Sequence, residues 1–150
     1  MEQPTVDVFP DIDQLSQSVA GLIQEWSATR IREAGRFTIA LAGGSTPKAL
    51  YRYLASDAFR AQLDWERFEI FMGDERYVPL DHEDSNFRMA REALLDHVPV
   101  QDRRVHPVPT HLSPADAARE YEQTIREVFD VPAPDVPVID LILLGIGPDG

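Results

Sequence analysis

Phe37-Thr38-Ile39-Ala40-Leu41-Ala42-Gly43-Gly44-Ser45-Thr46-Pro47 is the stretch whose reading decides the fold. Phe37 to Ala42 is an essentially continuous apolar run of strand length. A strand with no polar face is covered on both sides, as in the middle of a parallel sheet. Two glycines then turn the chain, and Ala49, Leu50, Tyr53 and Leu54 recur at helical spacing. The unit is strand, tight glycine turn, helix.

Working outward, the same alternation repeats. Upstream, Thr5 to Phe9 alternates and stops at Pro10, which predicts a short strand. Asp11 can cap a helix running to about Glu33, with Leu15, Val19, Leu22, Ile23 and Trp26 on its apolar face and Gly35 as its stop. Downstream, Phe68 to Met72 is a second strand, ending at Gly73-Asp74-Glu75-Arg76. Ser85 or Asn86 caps a helix that turns Phe87, Ala90 and Leu94 inward. Val105 to Val108, flanked by prolines, reads as a short edge strand. Ser113-Pro114 opens a helix whose buried face is Ala117, Ala118, Tyr121, Ile125 and Val128. Three prolines between Val131 and Pro137 make an extended connector. Ile139 to Leu144 is then a third central strand, running into Gly145-Ile146-Gly147-Pro148-Asp149-Gly150. Strands alternating with helices predict an α/β fold with a mainly parallel sheet, read as one domain over residues 1–150. The last strand has no helix after it, so its unit is expected to be unfinished.

Composition narrows the function classes. At 150 residues and 43% apolar, the chain can bury a real core. No stretch approaches the roughly 20 apolar residues of a membrane span, and the N-terminus lacks the basic and apolar regions of a secretory signal. Without cysteine there is no disulfide, thiolate catalysis or Cys-bound zinc, which fits a cytoplasmic address. A net charge of −12 repels nucleic acids and anionic membranes. A small molecule is the expected partner, and a monomer the expected state. His82, His97, His106 and His111 fall in no metal-binding spacing and read as surface or loop residues.

In open parallel sheets, ligands bind beyond the carboxyl ends of the strands. Three such ends carry special loops here, and their convergence on one rim is the central expectation. Gly43 and Gly44 let backbone approach a ligand, Ser45 and Thr46 offer hydroxyls, and the free amides of the next helix favour an anion. Lys48 either adds a charge or faces solvent. Arg76 can fork onto a carboxylate, a phosphate or a developing oxyanion. Asp74 or Glu75 can hold a sugar hydroxyl or act as acid or base, unless the triplet is simply a solvated charge run. Asp149 can orient an imidazole, serve as a base, or be a turn aspartate.

Taken in order, Leu41-Ala42-Gly43-Gly44-Ser45-Thr46-Pro47, Phe71 to Pro79 with Asp84-Ser85-Asn86, and Leu143 to Gly150 resemble the corresponding motifs of 6-phosphogluconolactonases over nearly the whole chain. The resemblance implies a Rossmann-like three-layer sandwich, shared with glucosamine-6-phosphate deaminases and incomplete at its C-terminal side. It implies hydrolysis of 6-phosphoglucono-1,5-lactone to 6-phosphogluconate in the oxidative pentose phosphate pathway, with no metal and no organic cofactor. It implies that the Gly43 to Thr46 loop holds the phosphate and that Arg76 contacts substrate and stabilises charge. Asp74 falls where the related deaminases place a catalytic aspartate. The family's proposed base is a histidine directly after the Asp-Gly pair, one position past Gly150, so little activity is expected of residues 1–150 alone. The two readings together put Asp74, Arg76 and Asp149 on the catalytic side, and Gly43, Gly44, Ser45, Thr46, Lys48 and Glu75 among the substrate-binding positions. The alternatives are a deaminase-like isomerase and a non-catalytic fragment that binds sugar phosphate.

Overall fold

A computed structural model describes residues 4–147. Helix α1 spans Ile12–Ala34. Asp11 caps it, its side chain accepting from the Gln14 amide at 2.8 Å. Gly35 ends it with φ 78°, a left-handed conformation that suits glycine. The buried ridge is Ser16, Ala20, Ile23 and Ser27. This corrects the expected face, because Leu22 and Trp26 are 41% and 45% exposed. The ridge keeps helical spacing but is built mostly of small side chains, which bring the helix axis close to its neighbours. Leu15 and Val19 flank it, half-buried.

Strands β1 (Phe37–Leu41) and β2 (Phe68–Met72) are buried at every position. They pair parallel, with Phe37 opposite Phe68 and Leu41 opposite Met72. Between them lies α2 (Ser45–Leu54). After β2 come α3 (Asn86–Ala93), β3 (Val105–His106), α4 (Pro114–Phe129) and β4 (Leu141–Ile142). The sheet order is β3-β2-β1-β4, and all three pairings are parallel.

The pleat divides the sheet into two faces. Phe37, Ile39 and Leu41 with Phe68, Ile70 and Met72 face α1, α2 and α3, sharing one cluster with Ile23, Leu50, Tyr51 and Ala90. The alternate residues lie on the opposite face, where Phe71 stacks on Phe129 of α4 at 5.8 Å between ring centroids. Helix, sheet and helix make the expected three-layer α/β sandwich. No helix among the described residues is long and apolar enough to cross a membrane.

Three expectations for the strands change. Thr5 to Phe9 joins no strand, and Val6 and Val8 are 84% and 89% exposed. Alternation alone does not make a strand where no edge and no apolar face receives it. Of Ile139 to Leu144, only Leu141–Ile142 form a strand, paired with β1, and among the described residues this strand stands at the edge of the sheet and not at its centre. Among the described residues Leu144 is 86% exposed. The Val105 to Val108 strand shortens to two residues at the opposite edge, where Pro107 has no donor to extend the ladder. In α4, Ala117 is buried and Tyr121, Ile125 and Val128 are half-buried, but Ala118 faces solvent.

β4 is short but well anchored. The Asp140 carboxylate accepts from the Thr38 amide at 2.9 Å, the Thr38 hydroxyl at 2.8 Å and Arg30 Nε at 2.7 Å. The Asp140 amide in turn donates to Thr38 Oγ1 at 2.8 Å.

Candidate active site at the carboxyl edge of the sheet

Strand β1 has β2 on one side and β4 on the other. The chain leaves β1 in one direction, passes through β2 and β3, and returns to the opposite flank. This is a topological switch point, where open α/β sheets leave a crevice beyond the strand ends. Because the strands are parallel, the loops after β1, β2 and β4 emerge on the same edge. Their starts are in contact: the Gly73 amide donates to Leu41 O at 2.8 Å, and the Leu143 amide to Ala40 O at 3.0 Å. A side chain at Gly73 would come within 3.3 Å of Leu41 O.

The loop after β1 departs abruptly. The buried Tyr51 hydroxyl accepts from the Ala42 amide at 2.9 Å and donates to Ala42 O at 2.8 Å, replacing the strand partner that Ala42 lacks. Burial pushes the Tyr51 phenol well above its usual value. Gly44 then adopts φ 106° and ψ 170°, a region open essentially to glycine alone. It precedes α2, whose first residues are Ser45 and Thr46, so the helix begins inside the stretch expected to be turn. No side chain caps this end. The Gly44 carbonyl takes the first helical bond, from the Lys48 amide at 3.1 Å. Ser45 and Thr46 are exposed with their amides at the positive end of the helix. Lys48 is half-buried, and its charge reaches Glu92 on α3, contributing to a lowered Glu92 carboxyl whose main cause is the hydrogen bond from Arg88.

The loop after β2 uses the same device. The Tyr121 hydroxyl from α4 accepts from the Met72 amide at 2.8 Å and donates toward Met72 O at 2.9 Å, and burial pushes this phenol up to about 12. Asp74 and Arg76 beyond it are exposed. Glu75 behaves differently. Its Oε1 accepts from the Arg76 amide at 2.8 Å and the Asn86 amide at 2.7 Å. Its Oε2 accepts from Ser85 Oγ at 3.1 Å and the Phe87 amide at 2.9 Å. Both oxygens are committed to the N-terminus of α3. Ser85 adds the side-chain cap, accepting from the Arg88 amide, and Asn86 is the first helical residue. The two helix starts at this edge thus contrast: α3 holds an anion from its own chain, and α2 is open.

In the loop after β4, Gly145 to Gly147 are exposed, and nothing lies within 4 Å of the place a Gly145 side chain would take. Asp149 lies outside the described residues. His106 is no surface residue: its Nε2 lies 2.6 Å from Glu69 Oε1, its ring stacks on Phe71, and Arg104 holds the other Glu69 oxygen at 2.9 Å. His97 is exposed and lies 2.9 Å from Glu92 O. The sequence places the two glycine loops at strand ends, as the structure does, but does not single out Tyr51, Tyr121 as a strand-end partner, or the carboxylate cap. Tyr121 reads as core, and the helical spacing in α2 points to Tyr53, whereas the fully buried tyrosine is Tyr51.

These features define a class: an open α/β protein with a parallel sheet, an uncapped helix start at its switch point, and charged side chains on the neighbouring strand end. Over residues 10–150 the chain matches the family described as glucosamine-6-phosphate isomerases/6-phosphogluconolactonase, and it belongs to that family. It is 44% identical to a 6-phosphogluconolactonase of Nostoc sp. over 97% of its own length and 59% of the relative's. It is 45% identical to one of Synechocystis sp. over 98% and 60%. The solved 6-phosphogluconolactonase of Trypanosoma cruzi superposes with TM-score 0.85 at 34% identity, covering 99% of this chain and 60% of that one. The enzyme of Leishmania guyanensis gives 0.86 at 31% identity, covering 99% and 62%. The chain thus spans about 60% of the length of these relatives.

Proposed function

We propose that the protein acts on a phosphorylated sugar lactone, hydrolysing 6-phosphoglucono-1,5-lactone to 6-phosphogluconate. The observation that carries the reading is the uncapped start of α2 at the switch point, beside exposed Asp74 and Arg76. A phosphate there would meet the Ser45 and Thr46 amides and hydroxyls without a competing side-chain cap, and Gly44 leaves the approach clear. Arg76 is the cation assigned to the lactone carbonyl. Water adds to that carbon, the oxygen gains negative charge, and the bond to the ring oxygen then breaks to give the acid and a free hydroxyl. A guanidinium held there by the bound substrate lowers the barrier by stabilising charge that develops in the transition state. Asp74 is assigned to a sugar hydroxyl. The attacking water needs a proton acceptor, which then returns the proton to the ring oxygen; the resemblance implies the histidine that follows the Asp-Gly pair in the family, and Asp149 is assigned to orient it or to act as the base itself. The names of the relatives support the same substrate. The proposed setting is the cytoplasm, with which a chain free of cysteine is compatible.

The first test is calorimetric binding of 6-phosphogluconate; failure of the wild-type chain to bind it overturns the reading. The second compares lactone hydrolysis, corrected for spontaneous ring opening. In a protein extended past Gly150, Arg76→Ala is expected to lose about 10²–10³ in rate, with His97→Ala as an unaffected control. The family description also covers glucosamine-6-phosphate isomerases, so ammonia release from glucosamine 6-phosphate would favour that chemistry instead.

A further inference from the structure

The two glycines after β1 are glycines for different reasons. Gly44 is one because of its backbone, at φ 106°. Gly43 has no positive φ, and what excludes a side chain there is Asn86. A Cβ on Gly43 would fall 2.0 Å from Asn86 Oδ1, 2.3 Å from Cγ and 2.6 Å from Nδ2. The whole Asn86 amide therefore lies against the Gly43 backbone. It is 6% exposed, although it stands at the edge of a candidate site.

Asn86 is also tied to the other loop. Its Nδ2 donates to the Asp74 carbonyl at 3.3 Å, and its own amide donates to Glu75 Oε1 at 2.7 Å. The Glu75 carboxylate, with four donors of its own chain, fixes the start of α3 and so fixes where Asn86 stands. One small amide thus touches the loop that opens α2 and hydrogen-bonds the loop that carries Asp74 and Arg76.

We propose that Asn86 is a positioning residue that sets the gap between these two loops, so that a sugar phosphate held at the start of α2 presents its ring to Asp74 and Arg76. Glu75 serves the same end by holding Asn86. The inference rests on the lactone reading for its ligand, but the contact it invokes stands independently. If the gap is set by packing of the amide on Gly43, a methyl group at position 43 and the amide at position 86 compete for one volume.

The experiment is a cycle of four proteins: wild type, Gly43→Ala, Asn86→Ala and the double variant. Thermal midpoint and affinity for 6-phosphogluconate are measured on each. Gly43→Ala is expected to lower the midpoint. Removing the amide makes room for the methyl, so the double variant should recover most of that loss. Affinity should not follow stability: Asn86→Ala and the double variant should both bind at least about tenfold more weakly, the effect of one lost contact. A residue that only stabilises the fold would regain binding with the midpoint. Additive thermal losses, or a harmless Gly43→Ala, overturn the proposal. So does full affinity in Asn86→Ala. If the wild type does not bind 6-phosphogluconate, the lactone reading fails, and the thermal cycle alone decides whether Asn86 couples the loops.

Discussion

Tyr51 shows how much one side chain can carry. Its hydroxyl satisfies both the donor and the acceptor of Ala42 inside a fully buried setting. Tyr51→Phe keeps the ring and removes only the oxygen, leaving two buried backbone groups without partners. Each such group costs about 1–3 kcal/mol. The expected outcome is a loss of roughly 2–4 kcal/mol in denaturant unfolding, from one or both groups. A change within experimental error would mean that water replaces the phenol. Tyr121→Phe tests the equivalent contact at Met72, with a smaller loss expected because that site is only half-buried. Neither tyrosine was legible as a strand-end partner, since helical spacing reports which side faces the core but not which backbone groups a hydroxyl meets there.

At the scale of the element, α2 concentrates the functional argument in its first turn. Gly44 sits where other residues are strained by about 1–3 kcal/mol. Gly44→Ala should therefore lower stability by that amount and also tilt the Ser45 and Thr46 amides away from a bound phosphate. Inorganic phosphate is expected to raise the thermal midpoint of the wild type but not of this variant, which a fluorescence melt with and without phosphate would check. Equal protection of both proteins would contradict anion binding at this helix start. The elements themselves were largely readable. Asp11, Gly35, Ser85 and Ser113 mark helix ends by local hydrogen bonding, which a short window of sequence contains. The buried ridge of α1 was not readable, because Ser16 and Ser27 look polar in sequence and are buried only where close helix packing suits small side chains. The shortness of β4 was hidden for a related reason: an apolar run records what a strand can bury, not how many of its residues pair.

Across the whole molecule, Asp140 joins parts that are distant in sequence. It reaches Thr38 over 102 residues and Arg30 over 110. Burial works to raise this carboxyl, but the hydrogen bonds from Thr38 and Arg30 outweigh it and hold it below the usual 3.8. A carboxyl depressed in the folded state adds stability above its unfolded pKa, and that stability is lost as pH falls through the folded value. Asp140→Asn should therefore be less stable than wild type by about 1–3 kcal/mol at pH 7. The difference should shrink from just above pH 3.8 downward, measured as unfolding midpoints across an acid series. A gap independent of pH would show that the charge plays no part. The order β3-β2-β1-β4 has one more consequence. Both described strands that border β1 come later in the chain, the flank carrying Leu141–Ile142 well after β2. Because synthesis proceeds from the N-terminus, a nascent polypeptide presents the α2 start long before the second wall of its crevice exists. Capture of a ligand between both walls must await the docking of Leu141–Ile142 on β1, so the crevice takes shape later than the helix start it surrounds.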